Sequence, residues 1–166
     1  MRMFAVVLIL LWLTSTVNAQ IPEDWQVRSS SPYLSGLLEQ GYAKSATFRH
    51  LIARLNESDV VVYIEPHLSM QFTRSGHLTS HVVIGGDTRY LRIRVNPRGR
   101  PNTMIALLAH ELQHALEVAD APAVRDEVTF EKHFRLLDSG TCRGGCYETT
   151  AARETQVVVA KELRAR

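Results

Sequence analysis

The sequence predicts an α+β domain: N-terminal helices, an antiparallel meander of about four strands, a long apolar helix, then C-terminal helices. Three observations carry this. Phe48, Leu51, Ile52 and Leu55 recur at i, i+3, i+4 and i+7, the spacing of one helical face. Between Val60 and Val95 the period falls to two, with turn residues between short runs. From Pro101 the helical period returns and holds to Leu163.

Taken in order, the chain opens with Met1-Arg2 and an apolar run of 10 residues, Phe4 to Leu13, followed by a polar stretch ending in Val17-Asn18-Ala19. This is the layout of a secretory signal peptide. The run is too short to span a bilayer, which takes about 20 residues of helix. Cleavage is expected after Ala19, giving a secreted or periplasmic protein and a single domain over residues 20–166. Residues 20–30 read as a polar lead-in. Ser31-Pro32 is a helix start, Ser as the cap and Pro at the first helical position. Leu34, Leu37 and Leu38 form its apolar face, with Gly41 a point of interruption.

Val60 to Ile64 is β-branched and short, a strand broken by Pro66. Leu68, Met70 and Phe72 alternate with polar residues, and Arg74-Ser75-Gly76 makes a turn. His77 to Ile84 reads as the next strand, Gly85-Gly86-Asp87 as a turn, and Leu91, Ile93 and Val95 as the inner face of the last strand. Pro101 to Ala119 is apolar almost all round, the mark of a buried helix. Val124 to Leu137 and Tyr147 to Leu163 complete the helices, with a small-residue loop at Ser139 to Cys146 between them.

Composition excludes several classes. Without Arg2 the chain has 18 basic and 17 acidic residues, so no basic patch suited to nucleic acid is expected. No second apolar run reaches membrane length. Cys142 and Cys146 fit one local disulfide in an oxidising compartment, tightening the loop before Glu148, or else two free thiols. They are too few for a four-cysteine metal site.

Inside the apolar helix stands His110-Glu111-Leu112-Gln113-His114. Residues four apart on a helix share a face and lie about 6 Å apart along the axis. Two imidazoles so placed can converge on one zinc ion. Glu111 is turned about 100° from His110. It is a poor ligand for the same ion but can reach water beside it as a general base. Two His and a Glu within a buried helix are costly without partners, which argues against a chance pattern.

A catalytic zinc needs a third protein ligand. Glu117 lies about 10 Å along the axis from His110, so it reads as a group supporting the ligands and not as one of them. Glu148, beside small residues at Thr149 to Ala152, is the candidate ligand, with Glu154 the fallback. His77 and His81 are about 13 Å apart on a strand and cannot share an ion. His50, His67 and His133 are isolated.

His110-Glu111-x-x-His114 followed by Glu148-x-x-Ala151 on a later helix resembles the gluzincin branch of zinc metallopeptidases in compact form, from about Phe48 to Leu163. The string from Leu107 to Glu117 is also similar to that of small secreted bacterial proteins. The resemblance implies a zincin-like fold, zinc held by His110, His114 and Glu148, and Glu111 as the base. It implies an edge strand that aligns a peptide or protein substrate, for which Thr88–Val95 is the candidate. It implies an oxyanion-stabilising group, and Tyr147, His133 and Tyr90 all remain open. Two functions follow from the sequence: an exported zinc metallopeptidase, or a non-catalytic exported binding or structural protein on a metal-holding scaffold of this kind.

Overall fold

The computed structural model of the protein describes residues 25–68, 75–140 and 147–165. Residues 1–19, expected to be a leader, most of the alternating Leu68–Phe72 run, and Cys142 and Cys146 lie outside these residues. Strand β1 (Val27–Ser29) is followed by helices α1 (Pro32–Lys44) and α2 (Ala46–Asn56), then strands β2 (Val60–Pro66), β3 (Gly76–Leu78), β4 (Val83–Gly85) and β5 (Thr88–Val95). Helices α3 (Pro101–Ala119), α4 (Glu127–Leu137) and α5 (Thr150–Glu162) complete the chain. The fold is mixed α+β, as expected.

The helix boundaries follow from their caps. Ser31 accepts from the Leu34 N–H and Pro32 occupies the first turn of α1. Gly41 does not interrupt that helix. A Cβ there would stand 3.0 Å from both Phe48 and Ile105, so the glycine lets α1 approach α2 and α3 closely. Ser45 ends α1 and caps α2 through the Phe48 N–H at 2.9 Å. In α4, Asp126 and Thr129 form a reciprocal capping box, which starts the helix at Glu127 instead of Val124.

The sheet differs from the expected meander. Its order is β1-β2-β5-β3, with β4 also paired to β5. β1 and β2 run parallel, as do β2 and β5, while β3 and β4 run antiparallel to β5. The inward residues Val60, Val62 and Ile64 of β2 lie next to Leu91, Ile93 and Val95 of β5, and all are buried. Placing the two most apolar strands side by side puts one continuous apolar face under the helices. The polar lead-in contributes β1, because Val27 fills that same face.

The single strand expected from His77 to Ile84 is two short ones. From Leu78 to Val83 the chain takes five steps, while β5 takes three from Ile93 to Tyr90. Two residues are therefore looped out, and Val82 turns inward to be buried. β5 is an interior strand, paired on both sides, so it is not the free edge expected of Thr88–Val95. Among the described residues no helix is long and apolar enough to cross a membrane.

Candidate metal centre

The long helix α3 is buried over most of its length, and it carries His110, Glu111 and His114 with only 9 %, 4 % and 5 % of their surface exposed. The two imidazoles meet with Nε2 atoms 3.2 Å apart. Glu148 Oε1 lies 3.6 Å from His110 Nε2. The ligand atoms of His110, His114 and Glu148 all fall within 4.8 Å of one another, so this group can hold a metal ion.

Glu148 reaches the two His from a different place than expected. Helix α5 begins at Thr150 with Thr149 as its cap, so Glu148 precedes the helix. Its backbone is held on both sides, the N–H donating to Asp138 Oδ1 at 3.2 Å and the carbonyl accepting from the Ser139 N–H at 2.7 Å. Its Oε1 is buried and accepts no hydrogen bond. A buried carboxylate oxygen without a donor is costly. Facing an imidazole nitrogen, it is the atom a cation would satisfy. Donors about 2.0–2.1 Å from a tetrahedral ion stand roughly 3.4 Å from one another. The separations of 3.2 and 3.6 Å bracket that value.

Glu117 does what its spacing suggests. Its Oε2 accepts from His114 Nδ1 at 2.9 Å, leaving Nε2 of His114 turned toward His110. Its Oε1 accepts from the Thr149 hydroxyl at 2.7 Å. Glu154 is exposed and stands outside the group.

Electrostatics follow from burial. Burial and the neighbouring His114 bring the pKa of His110 down to about 4, so it is a neutral donor near neutral pH. Burial opposes charge on His114 too, but the Glu117 hydrogen bond and the nearby carboxylates outweigh it and raise its pKa. Glu111 is pushed up to about 7, first by burial and further by Glu148, against the pull of His114 and the Leu78 backbone. Glu148 is raised by burial.

These residues form the floor of an open cleft of about 740 Å³. One wall is β3 with its flanking residues from Ser75 to Ser80; the other is the face of α4 carrying Phe130 and Phe134. Gly76 lets β3 sit against α3: a Cβ there would lie 3.3 Å from Glu111 Oε1 and 3.2 Å from Val95. Thr79 donates to the Arg92 carbonyl and Asn96 to the Ser75 carbonyl. Alternation then turns the backbone groups of Gly76 and Leu78 away from β5, toward the cleft. Among the described residues, β3 is therefore the outer strand of the sheet beside the site.

Of the three oxyanion candidates, Tyr147 lines the cleft. Tyr90 lies on the outer face of the sheet, its ring 6.4 Å from that of Tyr63. His133 packs edge-on against Phe134 at 5.4 Å, away from the cleft lining. Sequence reasoning missed Thr149 and the Phe130–Phe134 pair, whose rings lie 4.5 Å apart. The signals were a threonine before a helix and two aromatics four apart on an otherwise polar helix. In comparisons with known proteins, no family model, curated protein or solved structure matches the chain.

Proposed function

We propose that this protein is a zinc-dependent peptidase in which His110, His114 and Glu148 hold the ion and Glu111 is the general base. The observation that carries the reading is the placement of Glu111. It is a buried carboxylate on the cleft floor, next to a group able to hold a metal and beside β3, an outer strand of the sheet among the described residues. A zinc ion bound there supplies Lewis-acid polarisation of a carbonyl and an acidified water.

The chain's own residues supply the rest. Glu111 takes up a proton at its carboxylate and returns it to the leaving amine. The Leu78 N–H, directed at the Glu111 carboxylate, holds it in place. The backbone of Gly76 and the Leu78 carbonyl would receive an extended peptide as an added strand, the Leu78 N–H being taken by Glu111. This replaces Thr88–Val95 as the aligning strand. Leu107 and Tyr147 line the cleft, and Tyr147 is the proposed donor to an oxyanion. The sequence of residues 1–19, laid out as a secretory leader, supports an action outside the cytoplasm.

Elemental analysis and a peptide hydrolysis assay test the reading. Purified protein is expected to carry one zinc. Glu111→Gln is expected to keep it while losing at least about 100-fold in hydrolysis. Glu148→Ala should lower zinc content and Glu154→Ala should leave it unchanged. Protein without zinc, or Glu111→Gln with undiminished hydrolysis, overturns the proposal.

A further inference from the structure

We infer that Thr149 is a positioning residue that locks the two halves of the metal centre together through Glu117. The inference rests on the proposed metal site and concerns how the chain assembles it. Two ligands come from α3, and the third comes from the segment before α5. Between ligand atoms the two elements meet at the His110–Glu148 approach of 3.6 Å, which is too long to fix them in register as a hydrogen bond would. The shortest polar connection between them at the site is the Thr149–Glu117 hydrogen bond at 2.7 Å, beside a longer one from Thr155 to Gln113 at 3.4 Å.

Both oxygens of the Glu117 carboxylate are committed. Oε2 accepts from His114 Nδ1 at 2.9 Å and Oε1 from Thr149 Oγ1 at 2.7 Å. The Thr149 hydroxyl is itself fixed from the other side, because Oγ1 accepts the Ala152 N–H at 3.1 Å as the cap of α5. A hydroxyl has one proton to donate and lone pairs to accept with. Here the proton goes to Glu117 and the acceptor role goes to the helix. All this happens in a dry place, with Thr149 3 % exposed.

Two consequences follow for the ligands. His114 can present the Nε2 lone pair only as the Nδ1–H tautomer, and an acceptor at Nδ1 selects that form. A carboxylate held by one hydrogen bond can still swing, whereas the second bond from Thr149 fixes its plane. Glu148 is the residue directly before Thr149, so the anchored threonine also sets where the third ligand starts. The connection runs from His114 through Glu117 and Thr149 to the neighbour of Glu148. Threonine at a helix N-terminus is ordinarily a cap, which stabilises the helix and contributes nothing to a metal. The committed proton on Glu117 is what distinguishes this one.

The test is the zinc dissociation constant of the full chain, measured by chelator competition. Thr149→Val, which keeps the shape but removes the hydroxyl, is expected to weaken zinc binding about 10–100-fold. Thr149→Ser is expected to restore it. Thr149→Gly loses little as the cap of α5 and has no hydroxyl for Glu117, so it should fold and show the loss even if the valine variant does not fold. In a Glu117→Ala background, Thr149→Val should add no further loss. Wild-type affinity in both Thr149→Val and Thr149→Gly overturns the inference and leaves the metal site intact. A full additional loss in the Glu117→Ala background overturns the coupling through Glu117. A wild-type chain that binds no zinc overturns the metal site and this inference together.

Discussion

Arg89 is fully buried, and all of its guanidinium donors are used. Nε and Nη2 grip the two oxygens of Asp59 at 2.8 and 2.6 Å. Nη1 donates to the carbonyls of Val118, Ala121 and Val124, and Nη2 also to that of Ala119. One side chain on β5 thus gathers the carbonyls that close α3. Its alternation with Leu91 put it on the inner face, but only the tertiary structure brings those carbonyls to it. Arg89→Met is expected to destabilise the fold by about 3–5 kcal/mol, read from urea unfolding. Asp59 titrates below its ordinary 3.8, chiefly because of the Arg89 hydrogen bond. A depressed folded pKa gives stability that is complete above the unfolded value and lost as pH falls through the folded one. Wild-type stability should therefore decline below about pH 3.8, and Arg89→Met should lack that part of the decline. At the metal centre, His110, Glu111 and His114 were legible because helical spacing alone brings them together. The fixing of Glu148 by Asp138 and Ser139, ten and nine positions before it, depends on a chain reversal that no helical or strand period encodes.

Element boundaries were legible where a cap or a proline marks them. Pro101–Ala119 and the start of α1 stand where the sequence puts them. The starts of α4 and α5 were read early, because Val124 and Tyr147 continue the apolar pattern while Asp126 and Thr149 supply the caps. Helix α2 shows how much one cap can carry. Ser45 accepts from the Phe48 N–H and donates to Glu162 at the far end of α5, which also receives the N–H and hydroxyl of Thr47. Although burial opposes its charge, these hydrogen bonds hold Glu162 below its ordinary pKa. Ser45→Ala removes the local cap and one bond to Glu162 together. A loss of about 1–2 kcal/mol is expected in thermal or urea unfolding.

For the whole molecule, alternation tells which face a residue occupies but not which strand lies beside it. That is why the strands β2 and β5 were found and their parallel pairing was not. The looped-out residues between Leu78 and Val83 likewise follow from register against β5, which no local pattern encodes. The order of helices around the sheet explains why a metal should matter to stability. The proposed ligands join α3 to the segment entering α5, so an ion bound only by the folded chain stabilises all of it. Zinc at 100 times its dissociation constant is expected to add about 2.7 kcal/mol and raise the melting temperature, and chelation should reverse this. A melting temperature indifferent to both would count against the site.

Ser45 and Glu162 stand 117 positions apart in the chain. During synthesis α2 has already left the ribosome when Glu162 has yet to be made. The Thr47 N–H that this carboxylate will receive is left to water until then. The last turn of the last helix completes one of the first. A chain shortened to end before residue 162 would therefore show its weakness near residue 45, far from the cut.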